Sequence, residues 1–436
     1  MIGSRDTFLG VAIGVSPLVL WALASHAWVR LAIVVLGGIF VLGSSSEVSA
    51  LKLVYSGLLV LCSLVSGFRL LRNSPIWIRP FRALVGPGLL LSGVLIVSFF
   101  ASPDGADVTT FARQAIFYLM LLAAPIVGLD SGRDLSPANV YKIVWLVGLI
   151  AAVGFATDWL ARRNVSSLEL GKFVLASSIL PGFAFGLALI LLTTASGFLR
   201  KLPWLTLVIL IPIAMLVTGT RSNLIIFVAA FAIIGALRNK RVPLKRLAVS
   251  LSSIAVIGAT LFPIVASAVI SQPGFIENRI QALLSVASGD SANDQSLSGR
   301  QLQYELALQI IGRQPLFGQG LGYEIPFTLD TPLLTVVRLG IVGSLVLIAY
   351  IVVIALAFRK ARLLNGPSVT YTAWWGFVAI AVATIPFGTP FEDRGFGFTI
   401  LLIFVGVGSE LQAMQPRSDS RTSGGQFVPL VSQLGP

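Results

Sequence analysis

SLSGRQLQYELALQIIGRQPLFGQGLG, residues 296–322, is a polar stretch in a chain that is mostly apolar. It carries charges of both signs, then Pro315, then glycines at 318, 320 and 322. On its N-terminal side the polar interval reaches back to about residue 271. On its C-terminal side YEIPFTLDTPLLTVVRLGIVG, residues 323–343, leads back into a long hydrophobic run. No other interval between hydrophobic runs is as long. The pattern predicts an all-α, polytopic membrane helix bundle with one long outer loop, residues 271–332.

Composition agrees. Of 436 residues 56% are hydrophobic and 11% charged, where a soluble domain carries roughly 25% charged residues. The net charge of +13 resides mostly in short loops between apolar runs. There it sets orientation under the positive-inside rule and gives no reason to expect nucleic acid. Cys62 is the single cysteine and His26 the single histidine. That excludes an internal disulfide, a multi-cysteine zinc site and a histidine-cluster metal site, and it removes the commonest general base. No metal and no cofactor is expected.

A span needs about 20 apolar residues. Candidates lie near 8–25, 28–44, 51–68, 84–101, 114–130, 140–159, 173–194, 203–219, 222–237, 247–270, 333–358, 371–388 and 396–411, so 12 or 13 spans within residues 1–414 are expected. Arg5, the run 8–21 and Ala22, Ala24 and Ala27 mimic a signal peptide, but another apolar run follows at once and an uncleaved first span is expected. Basic loops at 69–82, 200–201, 238–246 and 359–362 fall on one side, assigned to the cytoplasm. Thirteen spans would then put the N-terminus outside, against Arg5, so one early run is interfacial or merged. The polar tail, residues 415–436, is read as disordered and cytoplasmic.

Ionisable groups are costly in lipid, so their placement is informative. Acidic residues avoid the middles of the spans, which counts against an ion-coupled transporter. Between 271 and 332 six acids (Glu277, Asp290, Asp294, Glu305, Glu324, Asp330) face three arginines (Arg279, Arg300, Arg313). Arg300 opens a segment with Leu302, Leu306 and Ile310 at helical spacing, an amphipathic helix able to lie on the membrane face, with Ser298 as its N-cap and Pro315 closing it. Arg221, in VTGTRSNLII, is a lone outer arginine between two apolar runs. Arg113 and Arg394 share that side, as substrate contacts or as surface anchors. GQGLG lacks the GK[ST] ending of a phosphate loop and is read as a turn.

Three segments, TGTRSN at 218–223, residues 298–322 and LDTPLLTVVRLGIVG at 329–343, together resemble the bacterial O-antigen ligase and polysaccharide polymerase family. The resemblance covers the C-terminal half, and the N-terminal half only as a set of spans. It implies a membrane glycosyltransferase in the bacterial inner membrane that uses a polyprenyl-diphosphate-linked oligosaccharide, with polysaccharide export and chain-length proteins as partners. Ligases usually carry His-Asn before the re-entry helix, and here Leu329 and Asp330 stand there. That favours a polymerase of repeat units over a ligase to lipid A–core; a non-catalytic glycolipid transporter is the third reading.

Under that reading Arg221 and Arg300 hold the diphosphate, because guanidinium binds phosphate oxygens bidentately and stays charged. With no histidine in the outer loop a carboxylate must take the acceptor's proton. Asp330 is placed best for this, the alternative being an N-cap for the following helix. Glu305 and Glu324 are the remaining candidates for the base, and with Arg113 and Arg394 they are expected to contact the substrate.

Overall fold

The computed structural model describes residues 21–42, 50–72, 79–102, 107–161, 179–194, 197–217, 252, 295–325, 329, 331–365, 369–385 and 388–413. Apolar backbone in lipid must satisfy its own polar groups, which a helix does within one segment. Among the described residues the chain is accordingly helical and has no strand.

Its helices are α1 (Ala27–Leu42), α2 (Ala50–Arg72), the short α3 (Arg79–Arg82), α4 (Val85–Phe100), α5 (Val108–Gly132), α6 (Pro137–Ala161), α7 (Ile179–Thr194), α8 (Phe198–Val217), α9 (Gln295–Arg313), α10 (Leu333–Asn365), α11 (Val369–Thr384) and α12 (Arg394–Ala413). A 3-10 turn, Pro390–Glu392, precedes α12. Helices spanning 52–72, 108–132, 333–360 and 395–413 are long and apolar enough to cross a membrane, and four shorter apolar helices join them. The protein is a multi-pass helical membrane bundle. The expected spans at 222–237 and 247–270, the loop before residue 295 and the tail after 413 lie outside the described residues.

The centre of the bundle is the pair α5 and α12, whose spans are mostly buried while those of α2 and α10 face outward. Lipid supplies no hydrophobic drive between helices, so close packing must hold them. Small residues allow it here. A Cβ on Gly128 would stand 2.7 Å from the Cβ of Phe404 and 2.9 Å from the Leu401 carbonyl oxygen; one on Gly408 would stand 2.6 Å from the Leu129 oxygen. Gly128, Gly132 and Gly408 therefore set the distance between the two central helices.

The basic end of the bundle holds a buried ion-pair cluster. Arg30 of α1 is fully buried, donates to Asp130 of α5 and through Nε to Ser66 Oγ of α2 at 2.9 Å. Arg69 lies 3.7 Å from Asp130 and 3.9 Å from Asp134. Ser131 Oγ donates to the Ala27 carbonyl at 3.1 Å. An unpaired charge here would be prohibitive, but a pair with further hydrogen bonds is tolerated and fixes register.

Candidate functional site

The opposite end is built around the polar stretch. Helix α9 starts at Gln295, so Ser298 lies inside its first turn and is not the N-cap expected for it. Pro315 follows the helix end as expected, since proline cannot continue the ladder.

Of the expected Leu302–Leu306–Ile310 stripe, Ile310 is buried, and with Ala307 it packs on Leu329 and Val337, flanked by Ile311, Ile325, Leu333 and Leu334. Leu302 and Leu308 are exposed on the protein's surface, where a membrane face could take them.

The turn after α9 then enters α10. At Gly340 the long helix is broken, with φ 67° and ψ −176°. A break leaves carbonyls 337 and 338 and amides 341 and 342 without their intrahelical partners. The turn supplies all four. Gln319 N donates to Val337 O at 2.7 Å and Gly320 N to Arg338 O at 3.0 Å, while Ile341 N donates to Pro315 O at 2.9 Å and Val342 N to Leu316 O at 3.1 Å. So close a fit admits no side chain. A Cβ on Gly318 would stand 2.5 Å from Gly340 N and 2.7 Å from Val337 O. GQGLG is thus a turn, as expected, and its glycines serve a backbone-to-backbone joint.

Helix α5 clamps the far side of the turn. Its N-cap Asp107 accepts from the amides of Thr109 and Thr110. Hydrogen bonds led by the Thr109 hydroxyl hold this exposed carboxyl down at about 2. Two helical turns on, buried Gln114 reads the loop backbone with both ends of its amide, accepting from Gly322 N at 3.0 Å and donating to Tyr323 O at 3.2 Å. Beside it Arg113 stands 4.0 Å from exposed Glu324.

Beneath this clamp three helices meet at a buried polar cluster. Arg338 Nη1 of α10 donates to Glu392 Oε2 in the 3-10 turn, and Tyr118 of α5 donates its hydroxyl to Glu392 Oε1 at 2.7 Å. Thr335 stands one turn before Arg338 on α10, Thr331 lies just before the helix, and both are buried. Thr335 Oγ1 stands beside the Tyr118 hydroxyl without hydrogen-bond geometry. Among the described residues Arg338 Nε and Thr331 Oγ1 also lack hydrogen-bond partners.

Of the residues singled out from sequence, Arg221 and Asp330 lie outside the described residues. Arg300 falls in the first turns of α9 and Arg394 opens α12; only their backbone is described. Arg113 and Glu324 come together, whereas Glu305 is exposed and touched by Gln301 at 3.4 Å. Sequence reasoning missed Arg338, Glu392 and Tyr118. One signal was available: an arginine inside an apolar run demands a partner.

A family model described as O-antigen ligase matches residues 205–332. The matched stretch contains the positions of Arg221, Arg300, Glu305, Glu324 and Asp330. It supports the resemblance drawn from the sequence. No curated protein matches the chain.

Proposed function

We propose that this protein is a membrane glycosyltransferase of the bacterial inner membrane that polymerises lipid-diphosphate-linked oligosaccharide repeat units into a surface polysaccharide. The observation that carries the reading is the O-antigen ligase match across residues 205–332, the stretch that holds both outer arginines and the candidate base. Polymerase is favoured over ligase by Leu329. Where ligases carry histidine, this chain has a leucine buried against Ala307, Ile310 and Val337. A side chain committed to packing cannot activate a hydroxyl.

In this mechanism Arg221 and Arg300 grip the diphosphate and stabilise the charge that develops as it leaves. Arg113 and Arg394 contact the substrate. The acceptor hydroxyl attacks the anomeric carbon, the bond from that carbon to the phosphate oxygen breaks, and Asp330 takes the proton. Residues 1–414 form the bundle, 271–332 the periplasmic loop and 415–436 a cytoplasmic tail. Export and chain-length proteins are the partners, with no cofactor. The match to an O-antigen ligase family keeps a second reading in view, transfer of the finished glycan to lipid A–core.

Glycan length on a gel, from cells with and without the gene, tests the proposal. Loss of long chains with single repeats retained is the expected result. Loss of all attachment to core makes the protein a ligase, and precursor trapped in the inner leaflet makes it a transporter.

A further inference from the structure

Arg338 is only partly used by the contacts around it. Its Nη1 serves Glu392, while Nε has no partner among the described residues. The side edge of the guanidinium, Nε with Nη2, is the edge that takes two oxygens of a phosphate or carboxylate in parallel. Two buried threonine hydroxyls lie at the start of α10, Thr331 Oγ1 just before the helix and Thr335 Oγ1 in its first turn, without hydrogen-bond geometry among the described residues. Leaving such groups bare at membrane depth costs free energy that a ligand can return.

The chemistry of the uncommitted groups selects the ligand. Nε–H and Nη2–H can only donate, and the Thr331 hydroxyl is uncommitted, while that of Thr335 stands beside the Tyr118 oxygen. Among the described residues the carboxylate paired with Arg338 has its oxygens occupied by Tyr118 and Arg338. A set dominated by the donors of a guanidinium fits an oxyanion better than a sugar ring, which needs donors and acceptors in balance. Arg338 is also the least buried member, with 15% of its side chain exposed, so the group is approached through the guanidinium. Glu392 neutralises the arginine until an anion arrives, which makes the charge tolerable in lipid.

We propose that the start of α10, with Thr331 just before it and Thr335 and Arg338 in its first turns, is an additional phosphate-binding subsite, held in place by Glu392 and Tyr118, for the diphosphate of the polyprenyl carrier. The choice of carrier rests on the function proposed above; the oxyanion chemistry does not. Arg338 is then a binding residue, and Glu392 and Tyr118 are positioning residues.

The test uses the full chain in phosphatidylcholine nanodiscs, titrated with polyprenyl diphosphate and read by tryptophan fluorescence, with melting temperature measured alongside. Arg338→Lys keeps the charge and the pair with Glu392 but loses the fork, and is expected to weaken binding about tenfold or more. The exchange Arg338→Glu with Glu392→Arg restores an ion pair between α10 and the 3-10 turn. It should recover melting temperature but not binding. Thr331→Val removes a buried unpartnered hydroxyl, so it should raise melting temperature and still weaken binding. Wild-type affinity in the exchanged protein, or in both Arg338→Lys and Thr331→Val, reduces the cluster to a structural clamp and overturns the proposal. Equal competition by phosphatidylglycerol would assign the site to ordinary headgroups and overturn the carrier. Long glycans lost on gene deletion, with Arg338→Lys binding unchanged, would sink this inference alone. Polyprenyl diphosphate bound through Arg338, with glycan lengths unaffected by deletion, would support the subsite and sink the polymerase reading.

Discussion

Replacing Gly340 by alanine puts a methyl group into the joint between the turn and α10. The backbone there has φ 67° and ψ −176°, a region essentially reserved for glycine, which costs another residue about 1–3 kcal/mol. The added Cβ would stand 2.5 Å from Gly318 N, a backbone atom that cannot rotate away. Relief requires moving the turn, which forfeits the bonds from Ile341 N and Val342 N, each worth about 1 kcal/mol. The expected loss is about 3–5 kcal/mol, a large share of an ordinary stability of about 5–15 kcal/mol.

Gly312→Ala is the control. It lies in α9 with nothing within 4 Å of the added carbon, and it should stabilise by up to about 1 kcal/mol. Denaturant unfolding in mild detergent measures both, with glycan length as the functional companion. If Gly340→Ala unfolds within 1 kcal/mol of the parent (about the worth of one hydrogen bond), the turn is not seated in the helix break and the architecture of the outer end described above is wrong.

Four further outcomes are expected. Arg221→Lys and Arg300→Lys should each lose about 2–3 kcal/mol of transition-state stabilisation; normal chain lengths at normal protein levels would make both surface anchors. Asp330→Asn caps a helix as well as aspartate but cannot accept a proton, so folded protein without chain extension is expected, and normal extension transfers the role of base elsewhere. Gln114→Leu should destabilise by about 1–3 kcal/mol by leaving Gly322 N and Tyr323 O without their side-chain partner, and an unchanged melting curve would refute the clamp. Cysteines at Ser102 and Ser291 should react with an impermeant thiol reagent in spheroplasts while one at Asn239 should not; the reverse pattern inverts the orientation.

Much of the end built around residues 296–322 was legible in the chain because its signals are local. Pro315 after a charged helical segment, and glycines at 318, 320 and 322, announce a stop and a turn wherever they occur. Both are present as read, with all three glycines at positive φ. Helix α9 was legible as an element, and Ile310 of its apolar stripe is buried. Only the neighbouring α10 decides that Ala307 goes inward with it.

What the sequence by itself determined is the class of structure. A chain this apolar must satisfy its backbone in lipid, and helices do so residue by residue without reference to any other part of the molecule. What only the tertiary structure decided is which charges survive inside. Arg338 finds Glu392 54 positions away, Tyr118 finds the same carboxylate across 274, and Arg30 finds Asp130 across 100. Each pair joins different helices, and the free energy that makes a buried charge bearable comes from the partner rather than from its own neighbours in the chain. The break at Gly340 belongs to the same class. A glycine six residues before Val346 reads as one more small residue in a span, until the turn from residue 315 supplies the hydrogen bonds that let the helix open.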